Sequence, residues 1–144
     1  MKKVYLALPI IVILLFLLWP TSYSDEEKIQ QTLHQLVTGL ADKDLATVMD
    51  TLCETYADTD GLTKKSIRGL LFQRHQRKQA LLLRLTDQTI NLQQTTARVH
   101  TQIEILEDSV LTLSDQSLVF DVHIHLQTEE GLWCISGHQK TLVE

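Results

Sequence analysis

The spacing of apolar residues changes period once along the chain, near Gln79, and that switch restricts the fold more than any motif. Before it the pattern is helical. Ile29, Leu33, Leu36, Val37 and Leu40 recur at intervals of three and four, which predicts an amphipathic helix over Asp25 to Ala41. Asp42-Lys43-Asp44 interrupts it and can cap a second helix, in which Leu45, Val48, Met49, Leu52 and Tyr56 repeat the same spacing to about Tyr56. Ala57 to Gly61 is turn chemistry, and Thr63 opens a third helix whose inner side is Ile67, Leu70 and Leu71 and which fades near His75.

After Gln79 the period is two. Ala80 to Leu92 reads as a strand with an irregular second half. Thr95 to Glu107 sets Ala97, Val99, Ile103 and Ile105 against Arg98, His100, Gln102 and Glu104. Leu118, Phe120, Val122, Ile124 and Leu126 alternate with Val119, Asp121, His123, His125 and Gln127. Thr128 to Gly131 is a hairpin loop, Leu132 to Lys140 is the closing strand, and Ser114 to Gln116 supplies the remaining turn. In the closing strand, simple alternation puts Trp133, Ile135 and Gly137 on one face and Cys134, Ser136 and His138 on the other. Helices segregated from long antiparallel strands mean α+β, with three N-terminal helices packed on one side of a strongly curved antiparallel sheet.

The N-terminus points to export. Lys2 and Lys3 precede an apolar run from Val4 to Trp19, followed by Pro20 and small polar residues up to Ser24, the three parts of a secretory signal. The run would span about 24 Å as a helix against roughly 30 Å of hydrocarbon, short for a membrane span. The expected location is periplasmic or extracellular after cleavage before Asp25. The alternative is retention of residues 4–19 as an inner-membrane anchor, because Ser24 and Glu27 also form a capping box that cleavage would remove. Residues 25–144 then form a single domain, and their lack of proline argues against a linker inside it.

Without Lys2 and Lys3, 11 basic residues face 18 acidic ones, a formal charge of -7 and the wrong balance for nucleic acid. Six of the 11 crowd into 64–78: Lys64, Lys65, Arg68, Arg74, Arg77 and Lys78. Upstream stand Asp42, Asp44, Asp50, Glu54, Asp58 and Asp60. The plain reading is internal pairing. The functional one is docking to an acidic protein partner or to membrane headgroups. Cys53 and Cys134 can pair in an oxidising compartment or remain as two buried thiols.

Two N-terminal helices separated by the short acidic turn Leu40-Ala41-Asp42-Lys43-Asp44-Leu45, a short third helix, and long meandering strands ending in Gly131-Leu132-Trp133-Cys134-Ile135-Ser136-Gly137 resemble the nuclear transport factor 2-like (NTF2-like) superfamily. That cone-shaped fold includes ketosteroid isomerase and the SnoaL-like cyclases. The resemblance implies a pocket between helices and sheet and dimerisation through the sheet. In its enzymes an Asp base and Tyr or Asp donors act in the pocket. Here Tyr56 and Asp58 are the nearest candidates, although Asp58 sits in a turn where Asp is expected simply to bond its own backbone, and no carboxylate sits on an apolar strand face. Tyr56 and Trp133 are the expected ligand contacts, with Trp133 otherwise in the core. His123 and His125, two apart on one strand, are candidate metal ligands that His100 or Glu104 could complete, against the plainer reading of a solvated sheet face. No cofactor-binding motif occurs, so no cofactor is expected. The leading expectation is an exported non-catalytic module binding a small apolar ligand or a protein partner. The alternative is an isomerase or hydratase with a pocket carboxylate.

Overall fold

A computed structural model describes residues 22–77, 81–107 and 118–143. The apolar leader, Lys78, Ala80 and the turn expected at 114–116 lie outside these residues. Among the described residues three helices precede four strands: α1 (Asp25–Ala41), α2 (Leu45–Asp50), α3 (Lys64–Gln76), β1 (Leu81–Gln93), β2 (Thr96–Glu107), β3 (Leu118–Glu129) and β4 (Leu132–Leu142). α1 begins where the sequence puts it. The Ser24 hydroxyl accepts from the Glu27 amide at 3.2 Å, and the Glu27 carboxylate accepts from the Ser24 amide at 2.8 Å. Ile29 and Leu33 of α1 are almost completely buried, against Val48, Val99, Val122, Ile124, Leu126 and Ile135.

Two helical expectations change. α2 ends at Asp50 rather than near Tyr56, because 51–57 is drawn onto β4. The Ile135 amide donates to the Thr51 carbonyl (2.8 Å), the Cys53 amide to the Ile135 carbonyl (2.9 Å) and the Ala57 amide to the Ser136 carbonyl (3.1 Å). A disulfide between Cys53 and Cys134 pins the same segment. Tertiary pairing thus overrides helical periodicity. Gly137 is required here, since a Cβ at that position would collide with the Ala57 carbonyl oxygen. In α3, Ile67 and Leu71 turn to the core, whereas Leu70 is 51% exposed and belongs to the solvent side.

The strands form a meander in the order β1-β2-β3-β4, antiparallel throughout. The strongly curved cone expected from the sequence is not what forms: the sheet is open, neither closed nor strongly curled. The reason lies in its centre. β2 and β3 pair without interruption from Thr96↔Gln127 to Ile105↔Leu118 and contain no glycine. Strong bending needs bulges or glycine kinks. Among the described residues bulges occur only in the outer pairs, between Thr86 and Thr89 in β1 and beside His125/Leu126 against β4. Glu130 (φ 51°) and Gly131 (φ 78°) make the tight β3–β4 turn, both in the left-handed region that two-residue hairpins use.

Among the described residues no helix is long and apolar enough to cross a membrane, so the retained-anchor expectation gains no support; the segment 4–19 that prompted it lies outside them.

Candidate functional site

The inner face of the sheet and the three helices line a half-open cavity of about 290 Å³. Fourteen of its 17 lining residues are Leu, Ile, Val or Phe, among them Leu36 and Leu40 of α1, Ile67 and Leu71 of α3, and Ile103 and Ile124 of the sheet. The space persists because α3 covers it thinly: no residue of α3 is fully buried. The three polar lining residues are Tyr56, His138 and Lys140.

His138 and Lys140 reach the cavity through the β-bulge. His125 pairs with Gly137 and Leu126 with Ile135, so Ser136 is the extra residue. A one-residue insertion reverses the faces of everything beyond it. His138 therefore stands opposite Ile124, and Lys140 opposite Val122, on the inner face. Uniform alternation had put His138 on the face opposite Ile135. Gly137 beside the bulge was the available signal, since glycine inside a strand often marks one.

The His138 Nδ1 lies 2.8 Å from the Tyr56 hydroxyl, which is 3.4 Å from Oδ2 of Asp58. The Asp58 side chain is 1% exposed. Its Oδ1 accepts from the Asp60 amide (3.0 Å) and the Leu62 amide (2.8 Å). Asp58 thus makes the turn and also holds the phenol. Burial, reinforced by the Asp58 carboxylate, pushes the Tyr56 phenol far above its usual range and keeps it protonated. Burial pushes the His138 imidazole down, partly opposed by Asp58, which favours the neutral ring. Lys140 is paired with Asp60 at 3.3 Å. The cavity thus offers a neutral hydroxyl–imidazole pair and one compensated ammonium. Among the described residues no Asp or Glu lines it; Asp58 supports the pair from outside.

Trp133 does not line the cavity. It is 7% exposed in the core, and its Nε1 donates to Asp25 Oδ1 at 3.2 Å. The basic stretch is divided. Lys64 pairs with Glu54 (2.6 Å) and donates to the Leu52 carbonyl (3.0 Å), whereas Lys65, Arg68 and Arg77 are exposed; Lys78 lies outside the described residues.

On the outer face, His123 stands directly across from His100, their rings stacked at 4.6 Å. The His100 Nε2 donates to Asp121 Oδ1 at 2.5 Å. The expected partner of His123 was His125, but His125 lies opposite Arg98, and burial together with that guanidinium lowers its pKa. Glu104, the other expected ligand, pairs with Arg84 at 3.2 Å. Cys53, Glu129 and Cys134 also cluster, but the two sulfurs are bonded to each other and are not free thiolate ligands.

No protein-family model matches the chain, and no curated protein matches it. Solved structures do. An NTF2-like protein from Cytophaga hutchinsonii superposes with a TM-score of 0.69 at 17% identity, over 84% of this chain and 100% of that one. An NTF2-like protein with a cystatin-like fold from Novosphingobium aromaticivorans gives 0.67 at 15% identity, over 83% and 82%. A protein of unknown function with a cystatin-like fold from Nostoc punctiforme gives 0.64 at 11% identity, over 83% and 91%. The fold is therefore of the NTF2-like, cystatin-like type. At these identities the likeness concerns the fold alone and carries no activity with it.

Proposed function

We propose that this chain is an exported, non-catalytic NTF2-like module that binds a small, largely apolar ligand carrying one polar group. The observation that carries the reading is the cavity, about 290 Å³ with three polar residues in a wall of 17. That is just under the range for ligand pockets, roughly 300–1,000 Å³, and its composition, apolar with a few convergent polar groups, is typical of them. The neutral Tyr56–His138 pair suits a carbonyl, hydroxyl or similar group. The isomerase or hydratase alternative called for a pocket carboxylate as base, and the wall offers none among the described residues. The Cys53–Cys134 disulfide supports a working location in an oxidising compartment outside the cytoplasm.

Titration of the full-length protein in mild detergent with the fluorescent apolar probe N-phenyl-1-naphthylamine tests this. The reading predicts saturable enhancement at one probe per chain, lost when Ile103→Trp fills the cavity. A folded wild type without saturable enhancement, or an Ile103→Trp variant that binds as well as wild type, would count against it.

A further inference from the structure

Beyond the cavity, the geometry points to a second site on the opposite face of the sheet: His100, Asp121 and His123 bind a divalent first-row transition-metal ion such as Zn2+. The register brings them together from two strands. His100 and His123 are direct cross-strand partners, and Asp121 lies diagonally, opposite Gln102. The ligating atoms of all three lie within 4.8 Å of one another. Tetrahedral Zn2+ with bonds of about 2.0–2.2 Å holds its ligand atoms roughly 3.3 Å apart. The β2–β3 ladder holds the backbone positions, so closing that difference falls to side-chain rotation.

The surroundings favour a cation. The cross-strand neighbours of the histidine pair on the flanking strands are the uncharged Thr89, opposite His100, and Gln139, opposite His123. The nearby cations are directed elsewhere: Arg84 to Glu104, and Arg98 at the His125 register position. The side chains of His100 and Asp121 are 46% and 42% exposed, so water can fill the remaining coordination positions. Two imidazoles and one carboxylate suit zinc or copper better than calcium or magnesium, which prefer oxygen donors only. In the metal-bound form the Nε2 hydrogen that His100 now shares with Asp121 is lost from that nitrogen, either to solvent or by a tautomer shift to Nδ1, and the lone pair ligates the ion.

The test is titration of the metal-free full-length protein with Zn2+ followed by calorimetry, with Co2+ absorption as a second readout. One ion per chain is expected. His100→Ala, His123→Ala and Asp121→Asn should each weaken binding by more than the roughly 10- to 100-fold typical of losing an outer-shell partner, and His125→Ala should leave it within about twofold of wild type. Circular dichroism of each metal-free variant verifies that it folds, which these outer-face positions make a mild requirement. Absence of saturable Zn2+ uptake overturns the site. So does a His125→Ala variant that loses as much affinity as His123→Ala, which would assign the ion to the same-strand pair instead. A stoichiometry of one ion per two chains also overturns a site complete within one chain.

Discussion

The two faces of the sheet are built from the same strands and differ in almost everything else. The inner face carries Val99, Val122, Ile124, Leu126 and Ile135, all at most 4% exposed, and opens into a cavity lined by all four strands. The outer face carries Arg98, His100, Asp121, His123 and His125, paired across strands and open to solvent. Strand alternation produces this division, and a single inserted residue breaks it. Beyond Ser136 two polar residues, His138 and Lys140, cross to the inner side and give an otherwise apolar chamber its chemistry. Polar groups on the outer face lie beside water and contribute little to stability. On the inner face they must be partnered, and the Asp58–Tyr56–His138 chain is the partnering.

Stability measurements can break this contrast. The largest effect should come from the disulfide, which closes a loop of sequence separation 81 and holds 51–57 against β4. Cys53→Ser with Cys134→Ser is expected to cost about 4.5 kcal/mol in urea unfolding, from loop entropy alone. Leu126→Ala on the inner face should cost roughly 2–5 kcal/mol. His123→Ala on the outer face, in the absence of metal, should stay within about 0.5 kcal/mol. Equal losses for the last two would erase the distinction between the faces.

The polar end of the cavity sharpens the contrast at a smaller scale. Tyr56→Phe removes the hydroxyl between a buried carboxylate and a half-buried imidazole, and should cost about 1–3 kcal/mol. The pH dependence follows from His138. Its folded-state pKa is depressed below the ordinary value near 6.5, so the unfolded chain binds the extra proton first. Stability should be fully present above that ordinary value and decline as pH falls below it, until the folded ring also protonates. His138→Gln should flatten part of that slope, leaving the share of His125, whose pKa is also depressed. An unchanged slope would mean that His138 is not held neutral by the fold.

Much of the architecture was legible because it follows from periodicity. The change from 3.6 to 2 near Gln79, the Ser24–Glu27 capping box and the inward row Ala97, Val99, Ile103 and Ile105 all reappear in the structure. Thr101 joins that row, buried because its hydroxyl donates to the Thr86 carbonyl at 2.7 Å. What the sequence concealed was non-local. The end of α2 is set by backbone hydrogen bonds between Thr51, Cys53 and Ala57 and a strand some 80 residues away, which local spacing does not encode. The open sheet reflects the absence of kinks in β2 and β3, visible in sequence only as an absence of glycine. Tyr56 could be named from its helical register. Its partner His138 was hidden by the bulge that reversed its face, for which Gly137 was the one sign, and Trp133, read as a ligand contact or core residue, is held in the core by Asp25.

The central claim is that the inner face, and not an exposed apolar patch, receives the ligand. Methyl-resolved NMR of the full-length protein in mild detergent, titrated with N-phenyl-1-naphthylamine, tests it most directly. Shifts concentrated at Ile67, Leu71, Ile103, Val122 and Ile124, with Leu70 and Leu132 unmoved, are the predicted result. Shifts concentrated at Leu70, Leu132 and Leu142, with the cavity methyls silent, would contradict it.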